Sequence, residues 1–122
     1  MRYFQKELET MSADQKFVLQ SEKLVKTVKY VYERQKPYRE KMDAIKLKPS
    51  DIRSIKDIYK LPYTLKSDLR ANYPFGMMAA SRRDIIRLHA SSATTGKLTV
   101  AGLTRKDIEV WADCAARSLV MA

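Results

Sequence analysis

Ile85-Ile86-Arg87-Leu88-His89-Ala90-Ser91-Ser92-Ala93-Thr94-Thr95-Gly96-Lys97-Leu98-Thr99-Val100-Ala101-Gly102-Leu103 is the stretch that decides how this chain is read. Residues 85–89 are apolar and β-branched enough for a strand, and residues 98–103 read as a second one. Between them lie Ser91, Ser92, Ala93, Thr94, Thr95, Gly96 and Lys97, all small or polar except for the single cation. Small side chains let a backbone come close to a ligand, and converging amides and hydroxyls donate to anionic oxygens. Lys97 adds a charge that a polyphosphate attracts. The loop is not that of the common NTPases, which joins a strand to a helix and places Ser or Thr after Gly-Lys; here Leu98 follows Lys97. Taken alone, it is equally compatible with an ordinary Ser/Thr-rich hairpin connection.

Outward from this stretch, towards the C-terminus, Thr104-Arg105-Lys106-Asp107 opens a long helix. Its Ile108, Trp111, Ala112, Ala115 and Leu119 fall at i, i+3, i+4, i+7 and i+11, the spacing of one face. The pattern reaches Ala122 with no Gly, Asn or Pro to close it, which reads as a helix cut short. In the other direction, residues 75–80 read as a buried connection. Thr64 is expected to cap a helix over about residues 65–71, stopped before Pro74. Ser54 is expected to cap a helix of one or two turns that holds Ile55, Ile58 and Leu61 and stops at Pro62. Pro49-Ser50-Asp51 reads as a turn.

The first strong helix begins at Ser12, whose side chain and that of Gln15 form a capping box. Val18, Val25 and Tyr32 recur every seventh residue, with Phe17, Leu24, Val28 and Val31 beside them, while Lys16, Lys23, Lys26 and Lys29 lie largely outside that stripe. Pro37 is expected to end this helix, since its ring removes a donor and restricts Lys36. The fold class is therefore α/β: mostly helical, with a β-hairpin around the polar loop.

Composition sets the outer limits. The chain has 122 residues and is 45% hydrophobic, which suits one domain with a packed core. No stretch approaches the ~20 apolar residues of a membrane span, and no apolar run follows the basic residues at the start. A single cysteine, Cys114, rules out an internal disulfide and any Cys-rich metal site, which fits a reducing cytoplasm. The net charge is +10. It is dispersed, with +6 in residues 1–60 and +4 in residues 61–122, and no basic run exceeds two residues. Solvated faces of amphipathic helices account for it better than a nucleic-acid footprint.

The order Ser91-Ser92-Ala93-Thr94-Thr95-Gly96-Lys97 resembles the Ser-Gly-Thr-Thr-Gly-Lys loop of adenylate-forming enzymes. Its flanks narrow the likeness: Asn72-Tyr73-Pro74-Phe75-Gly76, Arg87-Leu88-His89-Ala90, and Thr99-Val100 with Gly102 and Thr104 resemble bacterial phenylacetate-CoA ligases. So do Pro37-Tyr38-Arg39, Asp51-Ile52-Arg53-Ser54, Leu61-Pro62, Asp68-Leu69-Arg70, and the helix with Trp111 and Ala116-Arg117-Ser118-Leu119. The resemblance runs from about Tyr3 to the end. It implies that residues 1–122 are the N-terminal portion of the large domain of an AMP-forming ligase. Such enzymes use ATP and Mg2+ to activate an aryl carboxylate as an acyl-adenylate, then pass the acyl group to coenzyme A. By the same resemblance Ser91, Ser92, Ala93, Thr94, Thr95, Gly96 and Lys97 hold the ATP phosphates. The adenine, ribose and acyl motifs and the catalytic lysine would lie past Ala122, so no catalytic residue and no metal ligand is assigned within this stretch.

Two loop positions depart from the family. Ala93 stands in place of the first loop glycine, at a cost of ~1–2 kcal/mol where that residue needs positive φ. Leu98 replaces a proline.

Single residues have plainer readings. His89 reads as a hydrogen-bonded structural residue, Cys114 as a buried inert thiol and Trp111 as core. Two other function classes stay open at this level. One is a basic helical module that binds nucleic acid or a partner; the other is a shortened, inactive relative that associates through uncovered core surface as a homo-oligomer or swapped assembly.

Overall fold

A computed structural model describes residues 2–91 and 98–121. Among the described residues five α-helices and two strands follow in chain order: α1 (Lys6–Glu9), α2 (Ala13–Arg34), α3 (Lys36–Ala44), α4 (Lys66–Ala71), β1 (Ile85–Ser91), β2 (Thr99–Thr104) and α5 (Arg105–Met121). Short 3-10 turns occupy Pro49–Asp51, Ile55–Lys60 and Arg82–Asp84. The mixed, mostly helical architecture is the one the sequence implies.

α2 starts at the capping box read from the sequence. The Gln15 amide donates to the Ser12 hydroxyl at 3.2 Å, and the Ser12 amide donates to the Gln15 side chain at 2.9 Å. Pro37 does more than stop this helix. α2 ends at Arg34, Gln35 breaks the direction, and Pro37 lies in the first turn of α3. There its missing N–H would have had no helical partner, and its fixed φ already suits the helix.

α3 folds back on α2 and closes the core. Val28 of α2, Met42 of α3 and Ile52 of the following loop are buried, with Leu24, Tyr32, Tyr38, Leu47 and Leu61 packed around them. The start of the α2 stripe is not covered: Phe17 and Val18 are exposed. The buried Ser21 hydroxyl accepts the Ile55 amide at 3.0 Å, which fixes the Ile55–Lys60 turn against α2.

α3 ends in a Schellman turn. Leu47 N–H donates to the Met42 carbonyl at 2.9 Å and Lys46 N–H to the Asp43 carbonyl at 2.9 Å. Lys46 supplies the left-handed residue, with φ of 58°, where glycine is the usual choice. Leu47, just past it, packs on the core beside Met42.

Side chains of α3 also hold the segment that leads to the hairpin. Tyr38 OH donates to the Pro62 carbonyl at 2.9 Å, and Lys41 Nζ donates to the Tyr63 carbonyl at 2.9 Å and pairs with Asp68. Asp68 accepts the Leu65 amide at 2.6 Å. The N-cap of α4 is therefore Leu65, served by a carboxylate three residues later, and not Thr64. Residues 75–80 are half-buried at most, and Gly76 is exposed.

Candidate functional site

β1 and β2 pair antiparallel in the register Arg87 to Leu103, His89 to Ala101 and Ser91 to Thr99, with an irregularity between Ile85 and Arg87. The hairpin foreseen around the polar loop is present. Ser91, read as part of the loop, is instead the last residue of β1, and its hydroxyl hydrogen-bonds that of Thr99 across the ladder. The remaining members of the phosphate-binding set, Ser92, Ala93, Thr94, Thr95, Gly96 and Lys97, lie outside the described residues. What the structure defines is the platform that carries them.

Strand alternation puts Arg87, His89 and Ser91 on one face of β1. α5 lies on that side, because the ring of Trp111 meets the ring of His89 edge-on, with centroids 5.3 Å apart and planes at 65°. His89 is thus a strand residue two positions before the end of β1, in aromatic contact. Trp111 is about half exposed, at 52%, and is not core. Cys114 is also exposed. The periodicity in residues 108–119 is real, but only Ile108 of the predicted face is half-buried; Trp111, Ala112, Ala115 and Leu119 are exposed.

The junction of β2 and α5 is set by a local device that the sequence reading did not name. Thr104 N–H donates to Asp107 at 2.8 Å, the Thr104 hydroxyl donates to the same carboxylate at 2.7 Å, and the Asp107 amide returns to that hydroxyl at 3.3 Å. The donation from the Thr104 backbone, then that from its hydroxyl, holds the Asp107 pKa below the ordinary carboxylate value. Thr three residues before Asp was the available signal.

Behind the opposite sheet face an open cleft of about 740 Å3 lies between the hairpin and α2, lined by Lys26, Tyr30, Leu69, Met77, Met78 and Val100, among others. The wall depends on Gly102, where an added Cβ would come within 2.9 Å of the Met78 thioether. Gln35, at the junction of α2 and α3, donates to the Met77 carbonyl and fastens this wall to the helical core. Among the described residues no three His, Cys, Asp or Glu side chains gather as a metal site requires, and no helix is long and apolar enough to cross a membrane.

The chain is 45% identical over 119 residues to a phenylacetate-coenzyme A ligase of Thermus thermophilus, a match that takes in 98% of this chain and 27% of that protein. Phenylacetate-coenzyme A ligases of Aromatoleum evansii and Escherichia coli K12 are 48% and 47% identical over 112 residues, 92% of this chain and 26% of each relative. This chain is a homologue of the phenylacetate-coenzyme A ligases. It spans about a quarter of the length of the curated relatives it matches. No family model matches it. The fold agrees with the ligase homology: 96% of the chain superposes on 2-hydroxyisobutyryl-CoA ligase at a TM-score of 0.85 and 30% identity, over 26% of that protein, in a structure holding 2-HIB-AMP and CoA in the thioesterification state. An open conformation of that ligase with the same two ligands superposes at 0.83 with 29% identity. The described residues, the β1–β2 platform among them, are thus similar in fold to part of a CoA ligase.

Proposed function

We propose that this chain supplies the phosphate-binding part of an AMP-forming acyl-CoA ligase, one that activates phenylacetate or a related aryl carboxylate as an acyl-adenylate and transfers the acyl group to coenzyme A. The observation that supports the reading is the hairpin: β1 and β2, paired at Ser91 and Thr99, flank in sequence a Ser/Thr-rich, lysine-ending stretch, in a chain 43–48% identical to phenylacetate-coenzyme A ligases. The residues at the platform suit an anionic ligand, since Ser91 and Thr99 offer hydroxyls and Arg87 offers a cation on the same strand face. When bound, ATP with Mg2+ supplies the leaving pyrophosphate. Ser92, Thr94, Thr95, Gly96 and Lys97 would donate to the outer phosphates as charge develops there. Residues 1–122 are read as part of the large domain, working in the cytoplasm.

No catalytic residue is assigned in this stretch, so the chain alone is expected to make neither AMP nor thioester from ATP, Mg2+, CoA and phenylacetate; robust turnover would contradict the assignment. Alone, it is also expected to pair with its own copies, with Trp111 and Leu119 near the contact. The decisive test is pyrophosphate exchange in a complete ligase carrying this sequence. Lys97→Ala should weaken the triphosphate more than AMP. Ala93→Gly should raise affinity or rate by up to roughly tenfold, the equivalent of the ~1–2 kcal/mol that positive φ costs alanine, with the melting temperature unchanged. If neither variant moves exchange, the loop is not a phosphate clamp.

A further inference from the structure

α5 is attached to the hairpin at two points, one on each strand. The first is covalent: β2 passes straight into α5 at Thr104. Asp107 accepts from the Thr104 amide at 2.8 Å and from its hydroxyl at 2.7 Å, so the first turn of the helix is fixed to β2. The second is aromatic. Trp111 lies one turn beyond Asp107 on the helix and meets His89 of β1, with ring centroids 5.3 Å apart. Thr104 pairs with Ile85 at the start of the hairpin, whereas His89 pairs with Ala101 farther along it. α5 therefore runs back beside the sheet, from the Ile85 end towards the Ser91 end.

What the ring pair does follows from where β1 needs support. The ladder is irregular between Ile85 and Arg87, so pairing at that end leaves the course of β1 loosely set. From Ile86 to Ser91 the strand is exposed, with no buried side chain to anchor it. His89 lies between the irregularity and Ser91, two residues short of the Ser91–Thr99 hydroxyl bond and on the same strand face as Ser91. An edge-on aromatic pair attracts with a preferred geometry, so it fixes direction as well as distance. We propose that His89 and Trp111 are positioning residues for the anion site at the Ser91–Thr99 end of the hairpin. α5, clamped to β2 by Asp107, uses Trp111 to hold β1 so that Ser91 stays opposite Thr99. Neither ring is assigned a contact with the ligand. The anion site rests on the phosphate-binding reading above; the bracing of β1 by the ring pair does not.

Trp111 is the single tryptophan of the chain, so its emission reports on the pair without a label. The test uses the full 122-residue chain, its His89→Ala, Trp111→Ala and Trp111→Phe variants, and inorganic tripolyphosphate with Mg2+ as the probe. Circular dichroism checks that each is folded, and light scattering that each keeps the parent's state of association. Amide exchange in residues 87–91 should quicken roughly threefold to tenfold in both alanine variants, and tripolyphosphate affinity by calorimetry should fall by the same factor, the worth of one aromatic pair. Trp111→Phe, which keeps a ring against His89, should restore both to within about twofold of the parent. Tripolyphosphate should shift the Trp111 emission of the parent and not that of His89→Ala, a signature that a merely structural ring would not give. Should His89→Ala disturb the strand, the two Trp111 variants on the helix keep the test decisive. Unaltered exchange and affinity in both alanine variants, equal losses in Trp111→Phe and Trp111→Ala, or an emission shift that survives in His89→Ala overturns the proposal. Faster exchange with rescue by phenylalanine, in a chain that does not bind tripolyphosphate, upholds the brace and counts instead against the phosphate-binding reading.

Discussion

The two ends of this molecule treat apolar side chains in opposite ways. In the helical half, α2, α3 and the loop after α3 enclose Val28, Met42 and Ile52, and short polar links from Ser21, Tyr38 and Lys41 pin the surrounding turns. In the hairpin half no residue of β1, β2 or α5 is buried, although α5 is as clearly periodic as α2. The difference is one of covering, not of propensity. α2 has α3 folded over it within the same stretch of chain, whereas α5 touches the hairpin at one end and receives a hydrogen bond from Gln5 at Asp113, while its apolar stripe of Trp111, Ala115 and Leu119 faces outward. An amphipathic pattern thus specifies that a helix has an apolar face without specifying that the face finds its cover nearby.

Truncating the enclosed side should therefore do far more damage than truncating the open side. Met42→Ala or Ile52→Ala is expected to destabilise by about 2–5 kcal/mol in urea unfolding, because each leaves a cavity among fixed neighbours. Leu119→Ala should change stability by less than about 0.5 kcal/mol, as surface substitutions do. Equal effects would erase the distinction between the halves.

The connection between the halves offers the next largest effect. A Cβ on Gly76 would lie 2.8 Å from the Asn72 carbonyl oxygen and 2.8 Å from its Cβ, so backbone must move. Gly76→Ala should cost about 1–3 kcal/mol. Gly102→Ala should cost less, because the atoms it meets are the far ends of the Met78 and Ile85 side chains, which can shift. Thermal unfolding of the two variants side by side ranks them.

A gain is available within the enclosed half. Lys46 holds a left-handed conformation at the end of α3, with φ of 58°. Lys46→Gly should stabilise by about 1 kcal/mol, a higher melting temperature being the sign. No gain would mean that the charge or stem of Lys46 offsets its strain.

The smallest effect concerns acid. Donation from Lys60, then from the Arg53 backbone, lowers the Asp57 pKa from 3.8 to about 2. A carboxylate whose folded pKa is depressed contributes stability above its unfolded pKa and loses that contribution as pH falls through the folded one. Stability tied to Asp57 should therefore be full above about pH 4 and fade towards pH 2, and Asp57→Asn should flatten that acid limb. Asp107, lowered by Thr104 in the hairpin half, should behave the same way. If only Asp57→Asn alters the acid limb, the open half has already come apart before Asp107 titrates.

These contrasts also explain which features could be read in advance. The box at Ser12 and Gln15, the turn at Ser54 and the hairpin were legible because each is written in adjacent residues. α3 was not: Pro37 looked like a stop, and the helix behind it is held by Tyr38 and Lys41 reaching to Pro62, Tyr63 and Asp68, more than twenty residues away. Trp111 and Cys114 looked buried because periodicity shows a stripe and not its neighbour. At the candidate site the residue types of the loop suggested an anion ligand, which remains a proposal, and the strand position of Ser91 was not legible, since that depends on pairing with Thr99.

The clasp between Ser91 and Thr99 bears on the entropy of recognition. Bringing the ends of a free segment of this length together costs about 2 kcal/mol by the logarithmic closure law. Here β-pairing has already met that cost before any ligand arrives, because the connection begins and ends on bonded neighbours. Under the phosphate-binding role proposed above, an anion would therefore not have to meet that cost itself.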